Sequence, residues 1–461
     1  MKQYTAVYNQ LVLELPFKLT RLIDLKITQT MNEHGVAYLT GLLEEKQLEV
    51  INQLNSNMNI KIKVKEEQEE RILFSGVPTD VQIKRLSEAI EINLVIQSYS
   101  IYLDFKLRSR SFQNKDNPYE NIFKHIIKDY QGEIIDYAST GKQQNNPIIQ
   151  YEETDWEFIK RMASHMGTKV YPSVQGIKPQ LYIGLNKGTI YEENNYDYKI
   201  QKSIRDYLIF KQNYGDIQEV DFVTYDIESM AHYELGERLT YQQGVYVIIK
   251  KLTVFQKGVI LHHYTLGRET GMVQHKLYHT KVQGLSIEGR VLAVEKDKVK
   301  VHLSIDKYQS EGEAYWYSFD TSYTTEGQTG WYCMPEVGSS VHLYLPQKDE
   351  AKAYVRGVNR GDGVQNAKTQ DPTIKYFGTI EGKEMKLAPQ EITFSTIESK
   401  LHMKLTHGGG VEIASPENIR LYTGKGFYSE SATVEMKSQD KIVLSTKQAN
   451  IIVDNIVHIR G

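Results

Sequence analysis

Apolar and polar positions alternate in short runs through the first part of the chain. Residues 19–28, 60–64, 71–77 and 91–100 carry this pattern, which predicts strands and a β-rich lobe over residues 1–110. The period then lengthens. Asn117 and Pro118 stand where a helix N-cap and first turn belong, Ile122, Phe123, Ile126, Ile127 and Tyr130 share one helical face, and Gly132 supplies the stop. Thr154 and Glu157 are spaced as a capping box, and Trp156, Ile159, Met162, Ala163 and Met166 form an apolar stripe ending at Gly167. The stripe reads as core packing. These two helices define a helical insert over residues 111–168. Strand-like runs return from Lys169 to about Leu266, including 245–255 and 259–266, and predict a second β-rich lobe over residues 169–278.

Residues 279–362 have another texture. Alternation on both arms of 288–303, around a charged turn at 295–298, predicts a hairpin. Residues 315–319, 341–345 and 353–358 add three strands, and five short strands in so few residues fit a small closed barrel of the OB type.

The last stretch, 363–461, reads as a linker followed by very short alternating pairs. Ile392/Phe394, Met403/Leu405, Val411/Ile413, Ile419/Leu421, Val434/Met436, Ile442/Leu444 and Ile451/Val453 recur, with a step of eight residues from Met403 to Val411 to Ile419 and from Val434 to Ile442. Such a period signals a β-solenoid or an intertwined β-prism. One eight-residue unit leaves most of its apolar surface wet, so several chains must share an interior. Corners are expected at 408–410, 415–418 and 424–426, and Pro389 is expected at an edge, where a missing donor costs little.

Composition narrows the function. A net charge of -3, with no basic stretch, argues against nucleic acid as a partner. The surplus of Tyr (32) over Phe (13) suits strands and half-buried surfaces. Cys333 is the single cysteine, which excludes internal disulfides and reads as a small core residue beside Trp331. No run approaches a membrane span, so stable membrane insertion is not expected, and the amino terminus lacks a secretory apolar region. Synthesis and assembly in the cytoplasm follow as expectations.

Candidate chemistry is sparse. His262 and His263 are strand neighbours pointing to opposite faces, unsuited to one ion. Gly408, Gly409 and Gly410 lack the lysine and helix of a phosphate loop. Glu152–Glu153 and Glu44–Glu45 are adjacent carboxylates that diverge in space, so they read as solvated or helix-capping groups. No nucleophile elbow or zinc-protease signature appears. A catalytic site and a cofactor are therefore not expected.

The barrel-like segment, with Gly289 and Val291 in EGRVLAVEKDKVKVHL, then Gly330, Trp331, Pro335 and Gly338, and the closing YVRGVNRG, resembles the OB domain of VgrG-type spike proteins. That family serves type VI secretion, extracellular injection particles and contractile phage tails. YEETDWEFIKRMASHMG resembles its hub region, and the eight-residue tail pattern its triple-stranded β-helix. The resemblance implies a mainly β homotrimer: two barrel-like hub lobes with a helical insert, an OB collar and a needle. Three chains would present six lobes to a hexameric inner tube protein, among other baseplate proteins. The needle core would be Met403, Leu405, Val411, Ile413, Ile419, Leu421, Val434, Met436, Ile442, Leu444, Ile451 and Val453. A PAAR-type tip protein would dock on Ile456, Val457, His458, Ile459, Arg460 and Gly461.

Some phage spikes of this kind bind iron through a histidine pair near the tip. Here His458 stands alone, and continued alternation points it outward, so it is a weak metal candidate. No catalytic domain is expected on the short needle, so any effector cargo would be a separate protein. Two rival readings stay open: a trimeric β-helix polysaccharide depolymerase and a tyrosine-rich carbohydrate-binding adhesin.

Overall fold

The alternating segments form strands whose faces divide between core and surface. In Ile90–Gln97 every second side chain (Ile90, Ile92, Leu94, Ile96) is buried, as a period of two requires. The computed structural model describes residues 10–45, 54–55, 58–66, 69–86, 89–194, 197–215, 217–321, 332–359, 367–397 and 400–454. The fold is mainly β, and the chain divides into two units, Met1–Gly361 and Asp362–Gly461.

In the first unit, strands of both expected lobes belong to one twelve-stranded sheet. Leu19–Thr30 makes the seam by pairing antiparallel with Gly244–Gln256, Thr30 opposite Lys250 and Lys26 opposite Val254. Each side keeps its own core. One gathers Leu25, Ile27, Leu39, Ile62, Phe74 and Ile92; the other gathers Ile227, Tyr233, Tyr241, Tyr246, Tyr264 and Leu266. Part of the tyrosine surplus is thus structural: the Tyr264 hydroxyl accepts from the Tyr233 N–H (2.9 Å) and donates to the Ala231 carbonyl (2.8 Å).

Close to the seam lies a buried polar cluster. Lys251 Nζ is 3.2 Å from Glu234 Oε2, His232 Nε2 is 2.5 Å from Glu234 Oε1, and His262 Nδ1 is 2.8 Å from Thr253 Oγ1. Burial, then the nearby Lys251 charge, pushes His232 down to about 4, and the same causes push His262 well down. His263 faces the other way, exposed and 3.7 Å from Glu228, so the two neighbouring histidines do diverge.

The insert contains helices Tyr119–Lys128 and Asp155–His165, whose apolar faces meet around Ile122, Phe123, Ile126, Trp156, Ile159 and Met162. Two capping details differ from expectation. Pro118 occupies the N-cap position without a side-chain cap, while the Asn117 side chain accepts instead from Asn121 (3.2 Å). Thr154 does cap, accepting from the Glu157 N–H (3.2 Å), but Glu157 turns away to Lys160 (2.7 Å) and Thr154 donates to Asp104 (2.5 Å). A third helix, Ile204–Tyr214, occupies a stretch expected to hold strands; Ser203 caps it, and none of its residues is buried. The strand Val36–Leu43 was likewise not anticipated.

Strands Ser286–Glu295, Lys298–Leu303, Tyr317–Asp320, Tyr354–Asn359 and Ser340–Tyr344 close, in that order, into a small barrel. Val291 lies in its core, Pro335 is buried, and Gly338, at φ +88°, donates to the Val291 carbonyl (2.8 Å). A side chain at Gly289 would meet the His302 carbonyl at 2.9 Å, so the strand crossing needs glycine there. Gly330 and Trp331 lie outside the described residues. Cys333 is exposed, which corrects its reading as a core residue.

The second unit holds a five-stranded antiparallel meander, Lys375–Gly378, Glu384–Ala388, Glu391–Ile397, Leu401–Thr406 and Gly410–Ala414, and a hairpin of Ile442–Ser445 with Asn450–Val453. Pro389 sits in the tight turn between the second and third strands, and Gly410, at φ +76°, leads out of the turn into the fifth.

Candidate assembly surface

Register in the meander decides which side chains share a face. Phe377 opposes Met385, Met385 opposes Phe394, Phe394 opposes Met403, and Met403 opposes Ile413. A second row runs Leu387, Ile392, Leu405, Val411. Directly opposed residues point the same way, so these nine apolar side chains line one face. None of them is buried; Val411 is 64% exposed.

The opposite face is polar. Glu391 accepts from Lys386 (2.7 Å) and lies 2.9 Å from Lys404, which together hold its carboxyl down to about 2. His402 stands 3.6 Å from Glu412 on the same side. One face is therefore built for water and the other for a covering that the described residues do not supply.

Beyond the meander, Ile419, Leu421, Val434 and Met436 are all exposed and lie in no strand. Ile442 opposes Val453 and Leu444 opposes Ile451, so these four share a face of the last hairpin, with Ile442 and Val453 half-buried. Ile456, Val457, His458, Ile459, Arg460 and Gly461 lie outside the described residues. Among the described residues no group of three or more His, Cys, Asp or Glu side chains could hold a metal ion.

Sequence reasoning passed over Phe377, Met385 and Leu387, which complete the apolar face, because it began the repeat only at Ile392. It also passed over Phe427, 70% exposed and one further step of eight beyond Ile419, because the glycines at 424 and 426 read as a corner.

A second constellation joins insert and barrel within the first unit. Arg161, 2% exposed, donates Nε and Nη2 to the two oxygens of Glu153 (3.0 and 2.9 Å), Nη2 also to the Ile149 carbonyl (2.9 Å), and Nη1 to Glu350 of the barrel (2.7 Å). Burial works against its charge, but the two carboxylates more than offset it and its pKa is raised. Glu153 therefore is not the solvated or helix-capping group expected. Glu152, at φ +46°, takes the solvent side next to a register shift opposite Arg108 and Arg110, and the strand turns Glu153 inward. Ile149 from this same strand enters the barrel core. Nearby, burial and then Arg161 push His165 down to about 3, and burial and then Glu350 push Tyr119 up to about 12.

Taken together, one large sheet with a helical insert, a small closed barrel and a β-rich C-terminal unit make up the fold, which is similar to that of solved secretion-system and phage-tail components. Among solved structures, the chain is similar to the E. coli protein c3393 (TM-score 0.54, 12% identity, 76% of this chain and 100% of that one), described as a component of the type VI secretion system structurally similar to the T4 bacteriophage tail proteins gp27 and gp5. It is also similar to a chain of the half-lidded Francisella PdpA–VgrG complex (TM-score 0.55, 10% identity, covering 89% and 88%) and of the lidless PdpA–VgrG complex (0.52, 9%, 86% and 94%). At these identities the likeness is one of fold. No protein-family model matches the sequence, and no curated protein does. Among the described residues no helix is long and apolar enough to cross a membrane.

Proposed function

We propose that this chain is the hub and spike subunit of a contractile injection machine, acting as a homotrimer with neither catalytic site nor cofactor of its own. The observation that carries this reading is the uncovered apolar face of the second unit, in a chain with a tail-hub fold. Three copies around one axis would bury that face. With nine side chains roughly half-exposed, full coverage would be worth on the order of 10 kcal/mol per chain.

On this reading residues 1–110 and 169–278 are the hub lobes, 111–168 their insert, 279–362 an OB collar and 363–461 the linker and triple-stranded β-helix needle. The barrel's strand order, first-second-third-fifth-fourth with the third and fifth parallel, supports the OB assignment. Six lobes from three chains would seat a hexameric inner tube protein, and other baseplate proteins would gather around the hub. Residues 456–461 would dock a PAAR-type tip protein, with any effector carried separately. The assembly would cross the target envelope when a sheath contracts.

Sedimentation of the full chain at micromolar concentration tests the reading. A stable trimer is expected; a monomer with protected amides throughout 375–414 would defeat it.

A further inference from the structure

Between the strand Leu107–Phe112, the helix Tyr119–Lys128 and residues 305–313 lies an open cleft of about 690 Å³, within the usual range for small-ligand sites. It is lined by hydrogen-bonding side chains of both kinds, and three ligand classes can be weighed against them.

A phosphate or other free anion finds one exposed lysine, Lys307, beside arginines already engaged. The cleft's two arginines are committed to protein carboxylates: Arg110 pairs with the buried Asp155, and Arg108 lies 3.4 Å from Asp129 and 3.8 Å from Asp155. An added peptide strand is blocked as well. On the strand edge facing the cleft, the Ser111 N–H donates to Asp306 (2.6 Å) and the Ser111 hydroxyl to the other oxygen of Asp306 (2.5 Å).

What stays available suits a different ligand. Asn114, Asn117, Asn121 and Gln309 bring carboxamides, each a donor and an acceptor at once, to the cleft, Asn121 beside His125 on the helix and Gln309 from residues 305–313. Asn117 and Asn121 are aligned by their mutual bond (3.2 Å), and Gln309 by its bond to the Ser310 carbonyl (3.1 Å). Tyr308, 78% exposed as a residue, lines the cleft and brings an apolar ring to it. Sugar hydroxyls both donate and accept, and one face of a pyranose is a sheet of C–H groups that stacks on such a plate.

We propose that this cleft binds a neutral oligosaccharide, with Tyr308 as the stacking platform and the Asn117–Asn121 pair as the hydroxyl-reading wall. This inference goes beyond the assembly reading and does not rest on it.

Saturation-transfer NMR on the full chain provides the test, with maltotetraose and N-acetylchitotetraose as probes and inorganic phosphate and an acidic hexapeptide as comparison arms. Transfer to ring protons of at least one tetrasaccharide is expected. It should fall at least fivefold in Tyr308→Ala and in Asn121→Ala and persist in Tyr308→Phe, with oligomeric state and melting temperature unchanged in all three. Silence toward both tetrasaccharides at millimolar concentration, undiminished transfer in the alanine variants, or binding of phosphate or peptide alone would each overturn it, whatever the sedimentation of the same sample.

Discussion

The first unit buries its own large side chains, whereas the second buries none among its described residues. Trp156, Tyr264, Phe74 and Phe158 are all under 2% exposed or close to it in the first unit, and every core cluster ends before residue 356. The second unit has good strands, matched registers and an ion-paired polar face, yet its apolar residues look outward. Strand formation and core formation are therefore separable here. A sheet can be specified completely by one chain while its hydrophobic stabilisation is left to others.

The sharpest way to break this contrast is a charge on the open face. Val411→Asp or Ile442→Asp would place three carboxylates near one axis in the proposed trimer; loss of the trimer is expected by sedimentation, while the first unit melts as in the parent. If either variant kept a trimer of parental stability, the inward assignment of that residue would be wrong.

In the self-contained unit the largest single-residue effect is expected at Arg161. Arg161→Ala strands two buried carboxylates, Glu153 and Glu350, and should cost about 3–5 kcal/mol in denaturant unfolding. The second unit's amide protection should not change.

Acid should also separate the units. His232 and His165 are lowered in the folded state, to about 4 and about 3, so unfolded chain takes up protons first as pH falls. Their contribution is fully present above pH 6.5 and is lost progressively below it, roughly 3 kcal/mol for His232 by pH 4. Thermal melts between pH 7 and pH 4 should show it, and His232→Gln should flatten that slope in part.

The smallest effect belongs to the polar face. Glu391→Gln removes a half-buried carboxylate bridging two lysines, and surface pairs of this kind are worth about 0–1 kcal/mol. A loss above that would mean the face is more enclosed than a single chain shows.

Much of the architecture could be read from periodicity. The barrel strands and the Trp156 helix are places where local pattern and tertiary role agree. The helix Ile204–Tyr214 was missed because its apolar residues, including Ile204, Leu208 and Ile209, face no core and leave no clean stripe. The Arg161–Glu153–Glu350 triad was invisible because its partners are far apart in sequence and charged residues default to the surface. The continuity of the large sheet was invisible for a related reason: alternation says which face is buried, not which strand lies alongside.

That continuity constrains how the protein is made. On one edge residues 26–28 pair with the nearby strand Val36–Leu43, but on the other residues 26–30 meet their partners only at residues 250–254, so on the ribosome the seam stays open until most of the hub has been synthesised. An exposed strand edge waits throughout that interval, a window in which premature association between nascent chains competes with correct closure.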